Sequence, residues 1–390
     1  MLTKFFAPSR WGEGVSLLWR GNTFASYLEA LSLNHIDSAE PSALLSIYHF
    51  DSARNALYHH LKSLGIGKGD LVQVMNYTCD AVTNVLVDLG CRVQIYDCDS
   101  NFKAVNFKLH DECKVLITQI TFGQSAHPLE YLELVAKKDV CILIDKSLSY
   151  GIEDFSPQTK ILYPTIISFE VSKSITFGWG GSLLIPRSIK FNMYYSSLEK
   201  VSIVRDFYRN IVTMLNLFFI KRSGKISFIF WIFSKILLLQ RPSYRSSSPY
   251  CRSHSRPGVL TDKVIRNSLH KIPKQLKLAN NNHRQLARSL EAAGIKVNSS
   301  VDENNSSPRV HFYLTKNLKQ KFIKFMRARK IEVGEWFHEP PVIHGSKDYL
   351  NSKTLFEESV NLSCHWTLTD HEILHMQESI FIFFNQHLNE

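Results

Sequence analysis

The sequence predicts an α/β protein: a large, doubly wound, mostly parallel sheet domain with a smaller α+β C-terminal domain. Three observations carry that expectation. Between Asp51 and Ile185, short apolar runs of strand length alternate with helical patterns, the mark of buried parallel strands joined by helices. The chain has 390 residues, enough for two compact domains. Its 44% hydrophobic and 21% charged residues are ordinary globular proportions, which excludes wholesale disorder and a polytopic membrane protein.

The elements follow in order. Asp51 or Ser52 can cap a helix through ALYHHLKSL that ends at Gly65, and LVQVM then reads as a short apolar strand. AVTNVLVDL is helical again; RVQIYD, KVLITQI, the helix PLEYLELVAKK, CILID, IISFE and SLLIP complete the alternation. After Val264 come one long helical pattern, the strand RVHFYL, the helix NLKQKFIKFMRARK and a closing helix TDHEILHMQESIFIFFNQHL. The expected organisation is an N-terminal segment 1–50, the large sheet domain 51–206, an apolar basic insert with a Ser/Arg-rich loop 207–261, and a long helix with the small domain 262–390.

The formal net charge is +11, and its placement decides what it means. Between Phe207 and Thr261 there are nine basic residues and no acidic one, while the rest of the chain is close to neutral. A protein-wide electrostatic footprint for nucleic acid is therefore missing. Neither apolar run of that segment, IVTMLNLFFI or ISFIFWIFSKILLLQ, reaches the roughly 20 uninterrupted residues of a spanning helix. Aromatic side chains mixed with eight basic residues across 211–256 instead suggest a peripheral contact with an anionic membrane face, the plainer alternative being a hairpin packed on the body. The seven cysteines are an odd, widely spaced set without a CxxC pair, and no signal-peptide pattern opens the chain. Reduced thiols in a cytoplasm are expected, with no metal site. His371 and His375 lie one helical turn apart but lack a third ligand.

Ligands of open α/β sheets bind at the carboxyl ends of the strands. CILID closes on Asp145, and IISFE places Ser168 on a strand with Lys173 on the turn after it, before Gly178, Gly180 and Gly181. An aspartate and a lysine so placed are the pair that pyridoxal phosphate chemistry uses, the amine for the cofactor aldehyde and the carboxylate for the ring nitrogen. The helix starting near Ser52 offers N–H groups to the cofactor phosphate. Taken singly, each feature has a plainer reading: a capping aspartate, a solvated lysine, a simple glycine turn.

Their order and spacing resemble the DegT/StrS-type sugar aminotransferases, fold-type I PLP-dependent enzymes. SARNAL and NYTC are similar to a subgroup with SGR and YTC motifs; CILIDKSLSYG resembles the stretch whose strand-end aspartate meets the pyridine nitrogen; SFEVSKSITFGWGG matches the S-F-x-x-x-K and Gly-rich pattern. GEWFHEPPVIH and VNLSCHWTLTDHEI look like the family's substrate-side loop and the approach to its last helix. The resemblance implies that Lys173 is the Schiff-base lysine, that Asp145 keeps the ring protonated, and that Ser168, Ala53 and Arg54 hold the phosphate. It leaves Cys79 where an aromatic residue commonly stacks on the ring, with Tyr77 as a substitute, Leu148 where the family has glutamine, and Ala53 for the opening glycine of the phosphate turn. His344 falls on the substrate-side loop.

The function implied is a cytoplasmic PLP-dependent aminotransferase. It would move an amino group from an amino acid such as glutamate to a nucleotide-activated keto-sugar, for surface polysaccharide or secondary-metabolite sugars, as a homodimer. The alternative is a PLP-fold binding or regulatory protein without catalysis, kept open by Leu148 and by the lack of the Asn/Arg motif that reaches into the partner subunit's site.

Overall fold

The computed structural model describes residues 44–149, 162–170, 173, 179–189, 194–210, 256–269, 271–302, 305–335, 337 and 350–387. Strands β1 (Leu45–Phe50), β2 (Leu71–Met75), β3 (Arg92–Tyr96), β4 (Cys113–Thr121), β5 (Gln124–Ser125), β6 (Cys141–Asp145), β7 (Thr165–Ser168) and β8 (Gly181–Pro186) form one sheet. Its order is β1-β8-β7-β6-β4-β2-β3, with β5 folded back on the end of β4. The pairs β2/β3, β2/β4, β4/β6 and β6/β7 are parallel, and β8 runs antiparallel to both β7 and β1. Strands β1, β2, β4, β6 and β7 therefore all end at the same edge. The sheet begins at Leu45 rather than at Asp51, because LSIYHF pairs with β8 along its whole length.

Helices α1 (Ala53–Ser63) and α2 (Asp80–Asp88) cover one face of this sheet, and α3 (Leu129–Ala136) precedes β6. On the covered face, Val72, Val74, Val115, Ile117, Leu143, Ile166, Leu183 and Ile185 pack against Ala56, Leu57 and Leu61 of α1 and Val82, Val85 and Leu86 of α2. Since strand side chains alternate faces, the next positions on that face toward the strand ends are Gln119, Asp145 and Ser168. The apolar surface thus stops at a polar row on three neighbouring strands.

Residues 203–210 form α4. Asp206 on it accepts from the Leu260 N–H at 2.7 Å and from the Thr261 hydroxyl at 2.6 Å, and the Asn210 amide reaches Thr261 at 3.3 Å. The chain thus leaves toward the basic insert and returns from it at adjacent points. Arg256, at the return, bridges to Lys200 and lies over the Tyr195 ring, 5.0 Å from its centre. The expected insert otherwise lies outside the described residues.

The single long helix expected after Val264 is two helices, α5 (Val259–Leu269) and α6 (Ile272–Ala292). Pro273 explains the break: it sits in the first turn of α6, the helical position where a missing N–H costs nothing. The small domain holds β9 (Arg309–Tyr313), α7 (Lys316–Ala328), β10 (Val333–Gly334), α8 (Leu350–Glu358), β11 (Ser359–Ser363) and α9 (Asp370–His387). Its antiparallel sheet, ordered β10-β11-β9, packs Val310, Phe312, Val360 and Leu362 against Leu286, Phe322, Met326, Ile373 and Phe383 of the helices. A capping box starts α9, in which Thr369 and Glu372 exchange side-chain to backbone hydrogen bonds. Arg309, 2% exposed, pairs with Glu332 at 2.7 Å and donates to Asn361 at 3.1 Å.

Two predictions follow from the packing. The ideal Cβ position at Gly181 lies 2.4 Å from the Ala53 nitrogen and 2.8 Å from the Ile167 oxygen, both backbone atoms. Gly181→Ala should therefore cost about 1–3 kcal/mol by overpacking, read as a lower urea midpoint. The second concerns seven buried histidines, whose desolvation holds His49, His59, His60, His127 and His283 down to about 4 and His311 and His365 to about 3. Below pH 6.5 the unfolded chain binds protons that the folded protein refuses, so their contribution is whole above that pH and is lost as pH falls. At full loss each group held to about 4 amounts to about 3 kcal/mol, and each held to about 3 to about 5 kcal/mol. The urea midpoint should drop steeply between pH 6.5 and 4; an unchanged midpoint from pH 7 to 5 would contradict the buried neutral histidines.

Candidate active site

The site is assembled where the strands end. Asp145 is the last residue of β6, partly buried, and one of its carboxylate oxygens accepts the Ser147 N–H at 2.8 Å. Gln119 on β4 is its register partner, and Ile166 on β7 is its partner on the other side. Ser168, 2% exposed, lies two residues beyond Ile166 on the same face, beside Gly181.

The first turn of α1 lies against this row. Ser52 caps the helix by accepting the Asn55 N–H at 3.2 Å, and it bridges to Gly180. Ala53 and Arg54, the next two residues, bring N–H groups that fall outside the helix's own ladder and carry the positive end of its dipole. The short distance from Gly181 to Ala53 is possible because position 181 has no side chain. Gly180 adopts φ +101°, a left-handed conformation that favours glycine.

Asp51, just before the cap, is also held. Its carboxylate pairs with Arg209 at 3.3 Å and accepts from the Asn55 side chain, and the Arg209 guanidinium lies 5.2 Å from the centre of the Trp179 ring. One arginine on α4 thereby ties the start of α1 to the glycine loop. Burial raises the Asp51 carboxyl above its ordinary range, and Arg209 opposes that shift.

Cys79 forms the N-cap of α2, following β2. Burial pushes its thiol up to about 11 and Asp80 acts in the same direction, while the charges of Lys173 and Arg54 pull it down. Those two influences put Lys173, Arg54 and Cys79 in one neighbourhood. Lys173 itself is half-buried, and its N–H donates to the Glu170 carbonyl at 3.2 Å, the turn after β7.

Tyr77 does not belong to this group, which corrects the expectation that it substitutes for a stacking aromatic. It is 0% exposed, its ring stacks on Phe102 and Phe356, and its hydroxyl meets Ser359 at 2.8 Å and accepts the Phe337 N–H at 3.0 Å. The residue is a joint to the small domain. Leu148 is also engaged there, buried in the same apolar cluster as Tyr77, Phe102, Phe122 and Leu355. His344 and Gly178 lie outside the described residues. Of the histidine pair on α9, His375 shares a hydrogen bond with the Arg329 carbonyl at 3.0 Å, a structural use.

Gln119 is the residue that the sequence reading passed over. Its side chain is 4% exposed, its Nε2 donates to the Thr78 hydroxyl, and its Oε1 is buried without a partner. The signal was available: in KVLITQI the positions Val115, Ile117 and Gln119 share one face, and the third is polar.

These groups suit an aromatic, phosphate-bearing aldehyde. The helix start with Ser168 offers donors for a phosphate, Asp145 a carboxylate for a basic ring nitrogen, Lys173 an amine, and Gln119 an unmet polar atom on the strand beside Asp145.

No protein-family profile matches the chain, and a comparison with curated protein sequences finds no match. Solved structures are similar in fold. Spr1654 of Streptococcus pneumoniae, described as a sugar aminotransferase and solved in its PMP form, has 16% identity and a TM-score of 0.64 over 94% of this chain and 97% of its own. DesV of S. venezuelae, solved with a ketimine intermediate, has 14% identity and a TM-score of 0.61 over 94% and 95%. PseC of Helicobacter pylori, an aminotransferase involved in the biosynthesis of pseudoaminic acid, has 13% identity and a TM-score of 0.60 over 97% and 92%. The chain has the fold of these fold-type I, DegT/StrS-type aminotransferases, the architecture that the sequence resemblance implied.

Proposed function

We propose that this protein is a PLP-dependent aminotransferase that takes an amino group from an amino acid such as glutamate and delivers it to a keto-sugar carried on a nucleotide. The observation that carries the reading is the polar row at the sheet edge, with Asp145 and Ser168 above the first turn of α1 and Lys173 on the turn that follows β7. Pyridoxal phosphate, when bound, supplies an electron sink for the pair left when an α-proton departs. Around it, the N–H groups of Ala53 and Arg54 and the Ser168 hydroxyl hold the phosphate dianion at the positive end of α1. The Asp145 carboxylate keeps a proton on the ring nitrogen through a charge-assisted hydrogen bond. Lys173 Nζ would hold the aldehyde carbon and, with an amino donor in its place, would take the proton from the donor's α-carbon and deliver it to the carbon on the far side of the donor nitrogen. Cys79, a neutral thiol, borders the ring and contributes no charge.

A cytoplasmic homodimer is part of the proposal, as is a peripheral membrane contact through 211–256. What supports the contact is the root of that segment: Ile203, Val204 and Phe207 on α4 are 66%, 75% and 56% exposed. Among the described residues no helix is long and apolar enough to cross a membrane. Liposome flotation tests it: binding to anionic vesicles that weakens as salt rises is expected, and recovery in the soluble fraction with and without anionic lipid sinks it.

The catalytic assignment is tested on the pair. Reconstituted protein should show a cofactor absorbance band that changes on adding glutamate, and borohydride reduction followed by peptide mapping should place the label on Lys173. In Asp145→Asn, which keeps the shape and removes the charge, cofactor binding should survive while turnover drops by about 10²-fold or more. Label on another lysine, or an Asp145→Asn protein of parental activity, would overturn the assignment. A parent whose band never responds to an amino donor would favour the binding-protein alternative.

A further inference from the structure

We propose that Gln119 binds the ring hydroxyl of the cofactor, taking that oxygen from the strand next to the one that carries Asp145. The inference rests on the cofactor reading above. It begins from an atom without a partner. Gln119 lies in a closely packed sheet at 4% exposure, Nε2 is engaged by Thr78, and Oε1 is buried without a protein partner. Buried amides left half-satisfied are uncommon and destabilising.

Packing does not require an amide there. The two preceding positions on the same face of β4, Val115 and Ile117, are apolar and fully buried, so a branched aliphatic side chain would continue the core without an unmet group. A polar side chain at the strand end points to a ligand that is polar on that side.

Register then selects the atom. Gln119 and Asp145 are paired residues of adjacent parallel strands, so their side chains leave the same face roughly 4.8 Å apart. A 3-hydroxypyridine carries its nitrogen and its hydroxyl in one plane, with one ring carbon between the nitrogen and the carbon that bears the hydroxyl. With Asp145 on the nitrogen, the neighbouring strand is where a group for the hydroxyl belongs.

Thr78 makes the chemistry consistent. Its hydroxyl can donate as well as accept, so with the amide turned over Thr78 donates to Oε1 and the Nε2 protons face the ligand. Both amide atoms are then satisfied, and the ring oxygen receives a donor that favours its anionic form. Leu148, which occupies the position where the resembled family has a glutamine, is buried in the apolar cluster facing the small domain and offers nothing to this oxygen.

The test reads a titration. A donor to the phenolate lowers the basicity of the nitrogen that shares a proton with it in the lysine-bound cofactor, so removing the donor raises the pH midpoint of the visible band. In Gln119→Leu that midpoint should rise by about one pH unit, and the cofactor dissociation constant should increase about tenfold. Cofactor-free Gln119→Leu should melt no lower than the parent, since an unmet amide has been replaced by an aliphatic chain. Thr78→Val, which releases the amide without altering its chemistry, should shift the midpoint in the same direction by less and serves as the second variant if Gln119→Leu does not fold. A parent that takes up no cofactor overturns the reading of the site and this inference together. A parent that binds and titrates, beside Gln119 and Thr78 variants with the parental midpoint, overturns this inference alone.

Discussion

The approach of α1 to β8 governs the geometry of the sheet edge. A strand and a helix ordinarily keep their backbones apart by the width of their side chains; here the Cβ position of Gly181 would lie 2.4 Å from the Ala53 nitrogen, so the first turn of α1 touches the strand itself. The consequence is positional. The positive end of the helix is brought level with Ser168, which pairs with Gly181, and one strand from Asp145. Ser52 and Arg209 then fix the rotation and tilt of that end, through the cap on Asn55 and the ion pair with Asp51. A bulkier residue at 181 would move the helix dipole off the row that it complements.

The same strand ends also reach the small domain. Tyr77, after β2, bonds Ser359, whose hydroxyl also meets His311 Nε2 at 2.6 Å. Past β4, Gly123 receives the Ser300 hydroxyl at 3.1 Å, and φ +84° with a Ser300 oxygen 1.9 Å from its Cβ position leaves room for glycine alone. Ser149, four residues after Asp145, donates to the Ser306 carbonyl at 2.7 Å. Each strand that delivers Cys79, Gln119 or Asp145 thus continues into a joint with the C-terminal domain within a few residues. A displacement of that domain acts directly on the loops that hold the site.

How much of this was legible depends on where polarity fell. The central strands announced themselves because LVQVM, KVLITQI, CILID and SLLIP are largely buried on both faces and so read as apolar runs, although SLLIP proves antiparallel to its neighbours, and Asp145 stood out as the charge ending one of them. Strand β11 was hidden for the opposite reason: SVNLS carries Asn361 and two serines at fully or nearly fully buried positions, made tolerable by Arg309 and His311, which lie far away in sequence. Tyr77 was misread because a tyrosine beside a candidate cysteine cannot reveal that Phe102, Phe337 and Phe356 will enclose it. Gln119 needed only the period of two applied to KVLITQI, but a glutamine is a common surface residue and its burial became visible only with the fold.

Leu148 and Gln119 together show what a fold constrains and what it leaves free. The turn after Asp145 lies between two environments, the sheet edge and the aromatic cluster under the small domain. With Phe102, Phe122 and Leu355 filling that cluster, a glutamine at 148 would place an amide among apolar side chains, whereas leucine extends them at 4% exposure. The polar function, if retained, has to come from another element whose side chain leaves the sheet on the same face as Asp145. The adjacent parallel strand satisfies that condition by register, at the one position beyond Ile117 where the core ends. Strand order and pleat therefore limit such a replacement to very few residues, and the partnerless amide oxygen at 119 lies at one of them.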